Sequence, residues 1–201
     1  MIRLENIAKR YASDWLFRDI NYEFKKNNSY AIIGHNGSGK STLLQIILGT
    51  VIPTKGKVHY SFDKSNIQSH LSFVAPYQNL PLDLTLAELY QLHLKCKGFE
   101  KEIDREAFLE KTKLKDKQHT LLQSFSSGMA QRVKLALAFY SKSSVILLDE
   151  PIISLDNQNI EWYQEEIQKI QNKKLILISS NDEKEYFFCD KKINVLDYKR
   201  V

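Results

Sequence analysis

The densest chemistry in the 201-residue chain lies in Gly34-His35-Asn36-Gly37-Ser38-Gly39-Lys40-Ser41-Thr42. Gly34, Gly37 and Gly39 allow a backbone that curls with its N–H groups inward, a conformation that side chains would obstruct. Gly-x4-Gly-Lys-Ser between an apolar run (Tyr30-Ala31-Ile32-Ile33) and a helical pattern (Leu43 to Leu48) is the spacing of a polyphosphate-binding loop. The helix start adds unpaired donors and a positive dipole end. Lys40 is placed to reach β- and γ-phosphates and the Ser41 hydroxyl to ligate Mg²⁺, with Asn36, Ser38 and Thr42 completing the cradle.

Two further stretches carry chemistry. Val145-Ile146-Leu147-Leu148-Asp149-Glu150 is an apolar run ending in two carboxylates, as expected for a central parallel strand whose carboxyl end faces a ligand. Beside a phosphate loop, Asp149 is placed for Mg²⁺ and Glu150 to orient an attacking water. Ser126-Ser127-Gly128 opens a helix predicted to run to about Tyr140. Such a start either caps its own helix or offers bare N–H groups to an anion. Tyr11, just past the first strand, is either an ordinary half-buried tyrosine or a ring stacked on a nucleobase.

The elements that must position these groups alternate between strand and helix. Residues 2–7 and 16–24 show the two-residue period of half-buried strands, and shorter runs at 57–60 and 71–74 also read as strands. Pro76 and Pro81 bracket a linker containing Gln78. Thr85-Leu86-Ala87-Glu88 is a capping box for a helix that stops at Gly98, and helical pattern continues over 100–112. Residues 80–140 thus read as a helical insert in an α/β chain of one domain. An amphipathic helix is expected over 157–171, a buried strand at 175–178 and a last strand at 193–196.

Composition is that of an ordinary globular protein, 43% apolar and 26% charged. No apolar run nears the ~20 residues of a membrane span, and the amino terminus does not read as a signal peptide. Cys96 and Cys189 lack metal or redox spacing and are expected as reduced thiols in a cytosolic protein. The net charge of +5 is spread over scattered lysines. No nucleic-acid partner is expected, since its footprint would be a concentrated stripe, whereas positive charge suits docking beside anionic lipid.

Taken in order, these residues resemble the ATP-binding subunit of ABC transporters over essentially the whole chain, in its compact exporter-like form. The loop at 34–42 is followed by a Gln-loop near Gln78, a signature at Phe125-Ser126-Ser127-Gly128-Met129, Asp149-Glu150, and a D-loop at Ser154-Leu155-Asp156. The resemblance implies a P-loop NTPase core, mostly parallel with an antiparallel β part, about 1–79 and 141–201, and a helical subdomain over about 80–140. It implies ATP and Mg²⁺, with Tyr11 on the adenine, Ser41, Asp149 and Gln78 near the metal, and Glu150 polarising water. It also implies a head-to-tail homodimer in which Ser126, Ser127, Gly128 and Asp156 of one subunit complete the other's ATP site. Separate integral membrane subunits would bind the cassette at the inner face of the membrane and read the cargo.

This sequence departs from the family pattern in places. Phe125, Ser127 and Met129 replace the commoner Leu, Gly and Gln of the signature. Tyr77 stands where Gln usually follows the proline, displacing Gln78 by one position. Asn181 occupies the switch-histidine position, where its amide can hydrogen-bond a γ-phosphate but cannot take up a proton. Two other functions share the motifs: a soluble ABC ATPase unconnected with transport, and an ATP-binding clamp with little hydrolysis. A guanine-specific Asn-Lys-x-Asp motif is absent, and the signature helix argues against a small-molecule kinase.

Overall fold

The computed structural model describes residues 1–63 and 66–199. Strands β1 (Ile2–Tyr11), β2 (Asp14–Phe24) and β4 (Lys55–Tyr60) form an antiparallel sheet in the order β2-β1-β4. Strands β3 (Ser29–Ile33), β5 (Leu71–Val74), β6 (Val145–Asp149), β7 (Leu175–Ser179) and β8 (Lys191–Asn194) form a second sheet, in the order β5-β6-β7-β3-β8. Its four strand pairings are all parallel. The mixed α/β expectation, with separate parallel and antiparallel parts, therefore holds.

Burial explains both patterns. Every residue of β6 and β7 is buried, which is why these strands are continuous apolar runs. In β1 and β2 one face packs on the core, and Ile2, Leu4 and Ile7 pair with Phe24, Tyr22 and Ile20. The two strands extend beyond the expected 2–7 and 16–24 because Ala12, with φ 50°, closes a tight hairpin between them. Helix α1 (Lys40–Leu48) buries Leu43, Leu44, Ile46 and Ile47 in a core shared with the antiparallel sheet. On the other face, α5 (Ser127–Tyr140) and α6 (Asn157–Ile170) build a second core around Phe139, Trp162 and Tyr163.

Helix α2 (Ile67–His70) leads into β5, and the capping box is realised at α3 (Leu86–Cys96), where Thr85 N donates to Glu88 Oε2 at 2.8 Å and Glu88 N to Thr85 Oγ1 at 3.3 Å. The helix expected over 100–112 is shorter: α4 spans Arg105–Lys111. Gly98 takes φ 78°, and Phe99 then turns inward to stack on Tyr90 with ring centroids 4.7 Å apart. A new helix starts only where Asp104 caps Ala107 N at 2.8 Å. The last strand is β8, Lys191–Asn194, rather than 193–196, because Asn194 Oδ1 accepts from Leu196 N at 3.1 Å and bends the chain into a short 3₁₀ turn. Between β7 and β8 lies the short helix α7 (Glu183–Tyr186).

Candidate active site

The parallel sheet collects the chemistry along one edge. In the sheet β7 lies between β3 and β6, with Ser179 level with both Ile32 and Asp149. Parallel strands share a direction, so the loop after β3, the carboxylates at the end of β6 and Asn181 just past β7 emerge side by side. Ligands of open α/β sheets bind at such carboxyl ends.

The glycine loop is shaped for an anion. Gly39 is the N-cap of α1 with φ 103° and supplies no side-chain cap, so the first N–H groups of the helix remain free for a ligand. A Cβ on Gly39 would stand 2.6 Å from Leu16 Cγ, and one on Gly34 would stand 2.7 Å from Ser38 Oγ. Both positions therefore require glycine. Ser38 Oγ is buried without a hydrogen-bond partner, a polar atom suited to a phosphate oxygen. Lys40 is buried, and its ammonium lies in the curl of the loop, donating to Gly34 O at 2.8 Å and His35 O at 3.4 Å.

Ser41 Oγ donates to Asp149 Oδ1 at 2.9 Å, bringing together one hydroxyl and one carboxylate. Burial raises the Asp149 carboxyl from its ordinary range, opposed by the Ser179 and Ser41 hydroxyls and the Lys40 charge. Among the described residues no group of three or more His, Cys, Asp and Glu could hold a metal by itself. Two hard oxygens fit Mg²⁺, which keeps water and takes further ligands from substrate phosphates.

Glu150 follows in a left-handed conformation, φ 44°, with its N–H bonded to Ser179 O at 2.9 Å. Such backbone in a non-glycine residue costs on the order of 1–3 kcal/mol and collects at functional sites. The side chain lines two adjoining cavities. One, of about 280 Å³, is walled by Tyr11, Gly37, Lys40, Ser41, Thr42 and Glu150. The other, of about 380 Å³, is bounded by Asn36, Glu150, Ile152, Asn181 and Glu185. Asn181 bridges loop and switch: its side-chain nitrogen donates to Asn36 Oδ1 at 2.7 Å. Turned over, the same amide sets its oxygen 3.2 Å from Lys40 Nζ and its nitrogen against the Gly34 carbonyl. Tyr11 is 54% exposed at the rim, with Lys9 Nζ 5.0 Å from its ring centroid, so it is not a core tyrosine.

Five of the expected site residues lie away from these cavities. Gln78 faces away from these cavities; its Oε1 accepts from Ala75 N at 3.0 Å, and it lines a separate space with Leu80 and His93. Tyr77, one residue earlier, is reached instead by Gln45 of α1 at 2.7 Å. Asp156 caps α6, accepting from Asn159 N at 2.9 Å. Ser126 caps α5, accepting from Met129 N at 3.2 Å, and both Ser126 and Ser127 are exposed. Gly128 is held to the D-loop by close approach, since a Cβ there would lie 3.2 Å from Ser154 O. Sequence reasoning missed Gln131 and Glu185, which bond the main chain just after Glu150. The signals available were a polar residue on the inward face of α5 and a glutamate four places beyond Asn181.

The ABC transporter family model matches residues 17–153, more than half of the chain. The chain belongs to the ABC transporter family. Mouse (Mus musculus) ABC-type organic anion transporter ABCA8A is 34% identical over 170 residues, covering 77% of this chain and 10% of that protein. The uncharacterized ABC transporter ATP-binding protein YybJ of Bacillus subtilis is 26% identical, covering 94% of this chain and 90% of its own. A dimeric ATP-binding cassette in a post-hydrolysis state bound to ADP and Pi superposes with TM-score 0.81 at 25% identity, covering 96% of this chain and 94% of that one. This chain is thus an ATP-binding cassette of the ABC ATPase class. It spans only a small part of the mouse transporter that it matches. Among the described residues no helix is long and apolar enough to cross a membrane.

Proposed function

We propose that this cassette hydrolyses ATP as a head-to-tail dimer and drives transport through separate membrane subunits at the cytoplasmic face of a membrane. The observation that carries this reading is the separation of the two serine- and glycine-rich helix starts. The start of α1 lines the nucleotide cavity, whereas Ser126, Ser127 and Gly128 do not. A second copy, turned head to tail, brings its Ser127 start to the phosphates held by the first. The dimeric cassette bound to ADP and Pi supports that arrangement.

Within the site the loop N–H groups and Lys40 hold the β- and γ-phosphates. Mg²⁺ at Ser41 and Asp149 would offset the charge that develops on the phosphate oxygens. Glu150 orients a water in line with the γ-phosphorus; the bond to the β–γ bridging oxygen breaks, releasing ADP and phosphate. Asn181 donates its amide to a γ-phosphate oxygen and takes no proton, so proton uptake falls to Glu150. Tyr11 stacks on the adenine from the rim, and Gln78 and Asp156 act only through a partner chain or a rearranged linker.

The core, 1–79 and 141–201, and the helical subdomain, 80–140, meet at the linker. There Tyr77 and Leu82 are more than half exposed, and Leu80 packs at the edge of the core. That apolar ledge suits a cytoplasmic segment of a membrane subunit. Steady-state hydrolysis by Glu150→Gln tests the central assignment. A loss of roughly 10²-fold or more in kcat is expected for removal of a general base. A rate equal to the wild type contradicts catalysis by Glu150 and leaves a nucleotide-gated clamp.

A further inference from the structure

The peptide group between Pro151 and Ile152, one residue past Glu150, is gripped at both ends by buried side chains. Gln131 Nε2, from α5, donates to Pro151 O at 2.6 Å. Ile152 N donates to Glu185 Oε1, from α7, at 2.8 Å. Gln131 and Glu185 are only 2% and 3% exposed. Neither contact serves a helix or sheet ladder. Both fix one peptide plane directly behind a residue whose backbone is already left-handed.

We propose that Gln131 and Glu185 are positioning residues for hydrolysis, clamping the Pro151–Ile152 peptide so that the Glu150 carboxylate stays at the nucleotide cavity. This rests on Glu150 as the water-orienting residue. The clamp also ties three parts of the site together. α5 begins at the signature, α7 follows Asn181, and the clamped peptide opens the loop whose Ser154 lies against Gly128.

Glu185 also lines the cavity shared by Glu150 and Asn181. Its charged neighbours are Asp182, at the cap of its own helix, and Glu150, at the end of β6; Tyr163 of α6 donates to its main-chain carbonyl at 2.7 Å. Burial first, and then the Asp182 and Glu150 charges, push the Glu185 carboxyl from 4.5 up to about 7, against the Ser180 hydroxyl and the Ile152 N–H. The ionised form accepts the stronger bond from Ile152 N, because a charged acceptor strengthens a hydrogen bond. The clamp therefore tightens as pH rises through about 7. Stability runs the opposite way. A carboxyl raised on folding binds more protons in the native state, so the fold loses stability as pH rises from 4.5 through about 7.

This opposition separates a positioning role from a structural one. Glu185→Gln keeps an oxygen for Ile152 N but never ionises. It should lower kcat about tenfold near pH 8, with the KM for ATP within about twofold of wild type. It should also abolish the rise in rate through about pH 7, and its Tm at about pH 8 should equal or exceed that of the wild type. Gln131→Ala should lower kcat similarly while keeping the wild-type pH profile. Independently of activity, the Ile152 amide should exchange with solvent faster in Glu185→Ala than in wild type, in native-state hydrogen exchange followed by NMR. A wild-type kcat and pH profile for Glu185→Gln, unchanged Ile152 exchange in Glu185→Ala, or a Tm that falls in step with kcat would each overturn the proposal. If instead Glu150→Gln hydrolyses ATP at the wild-type rate, the role given to Glu150 is what fails.

Discussion

At the start of α1 the capping position is Gly39, with no side chain to spend on the helix, and a buried lysine follows it. At the start of α5 the capping position is Ser126, whose hydroxyl already satisfies Met129 N, and the residues there are exposed. Both turns read alike in sequence as glycine- and serine-bearing helix starts. The first has free donors and a cation at one cavity, with Ser41 there bonded to Asp149, an arrangement suited to a polyphosphate. The second has spent one donor internally, and Ser126, Ser127 and Gly128 do not line that cavity. Under the proposed head-to-tail pairing, it contributes to the site of another chain. The difference lies in what each helix leaves unsatisfied.

Substitutions at the two starts sharpen this contrast. The largest effect is expected at the first: Lys40→Ala should weaken ATP binding by about tenfold to hundredfold, the range for a hydrogen bond to a charged group. Isothermal titration of the isolated chain would show it. Ser127→Ala should leave that same affinity within about twofold, because a contact made only across the dimer does not enter binding by one chain. Equal losses at both positions would break the comparison. Ser126→Ala should give the smallest change, a fall in stability of about 0.5–2 kcal/mol from the lost cap, read by denaturant unfolding with ATP affinity intact.

Legibility followed the same divide. The loop at 34–42, the strand ending in Asp149 and Glu150, and the α/β pattern were readable because each is set by local conformation or a single period. The convergence of Ser41 on Asp149 followed from parallel strands sharing an edge. The end of the helix expected over 100–112 was not readable, because the burial of Phe99 against Tyr90 is tertiary and outweighs local helical pattern. The grip of Gln131 and Glu185 on one peptide was hidden for the same reason. Its partners lie 20 and 33 residues from the main-chain atoms they hold. Gln78 and Asp156 carry motif positions, but their side chains serve the linker and a helix cap in the single chain.

The most direct measurement of the central claim is the mass of Glu150→Gln by light scattering, with and without saturating MgATP. Slowed hydrolysis should trap the state in which each α5 start closes on the other chain's phosphates. Glu150→Gln should be a monomer without nucleotide and a dimer with it, and should return to monomer when Ser127→Arg is added. A strict monomer for Glu150→Gln under saturating MgATP, with ATP demonstrably bound, would contradict that claim.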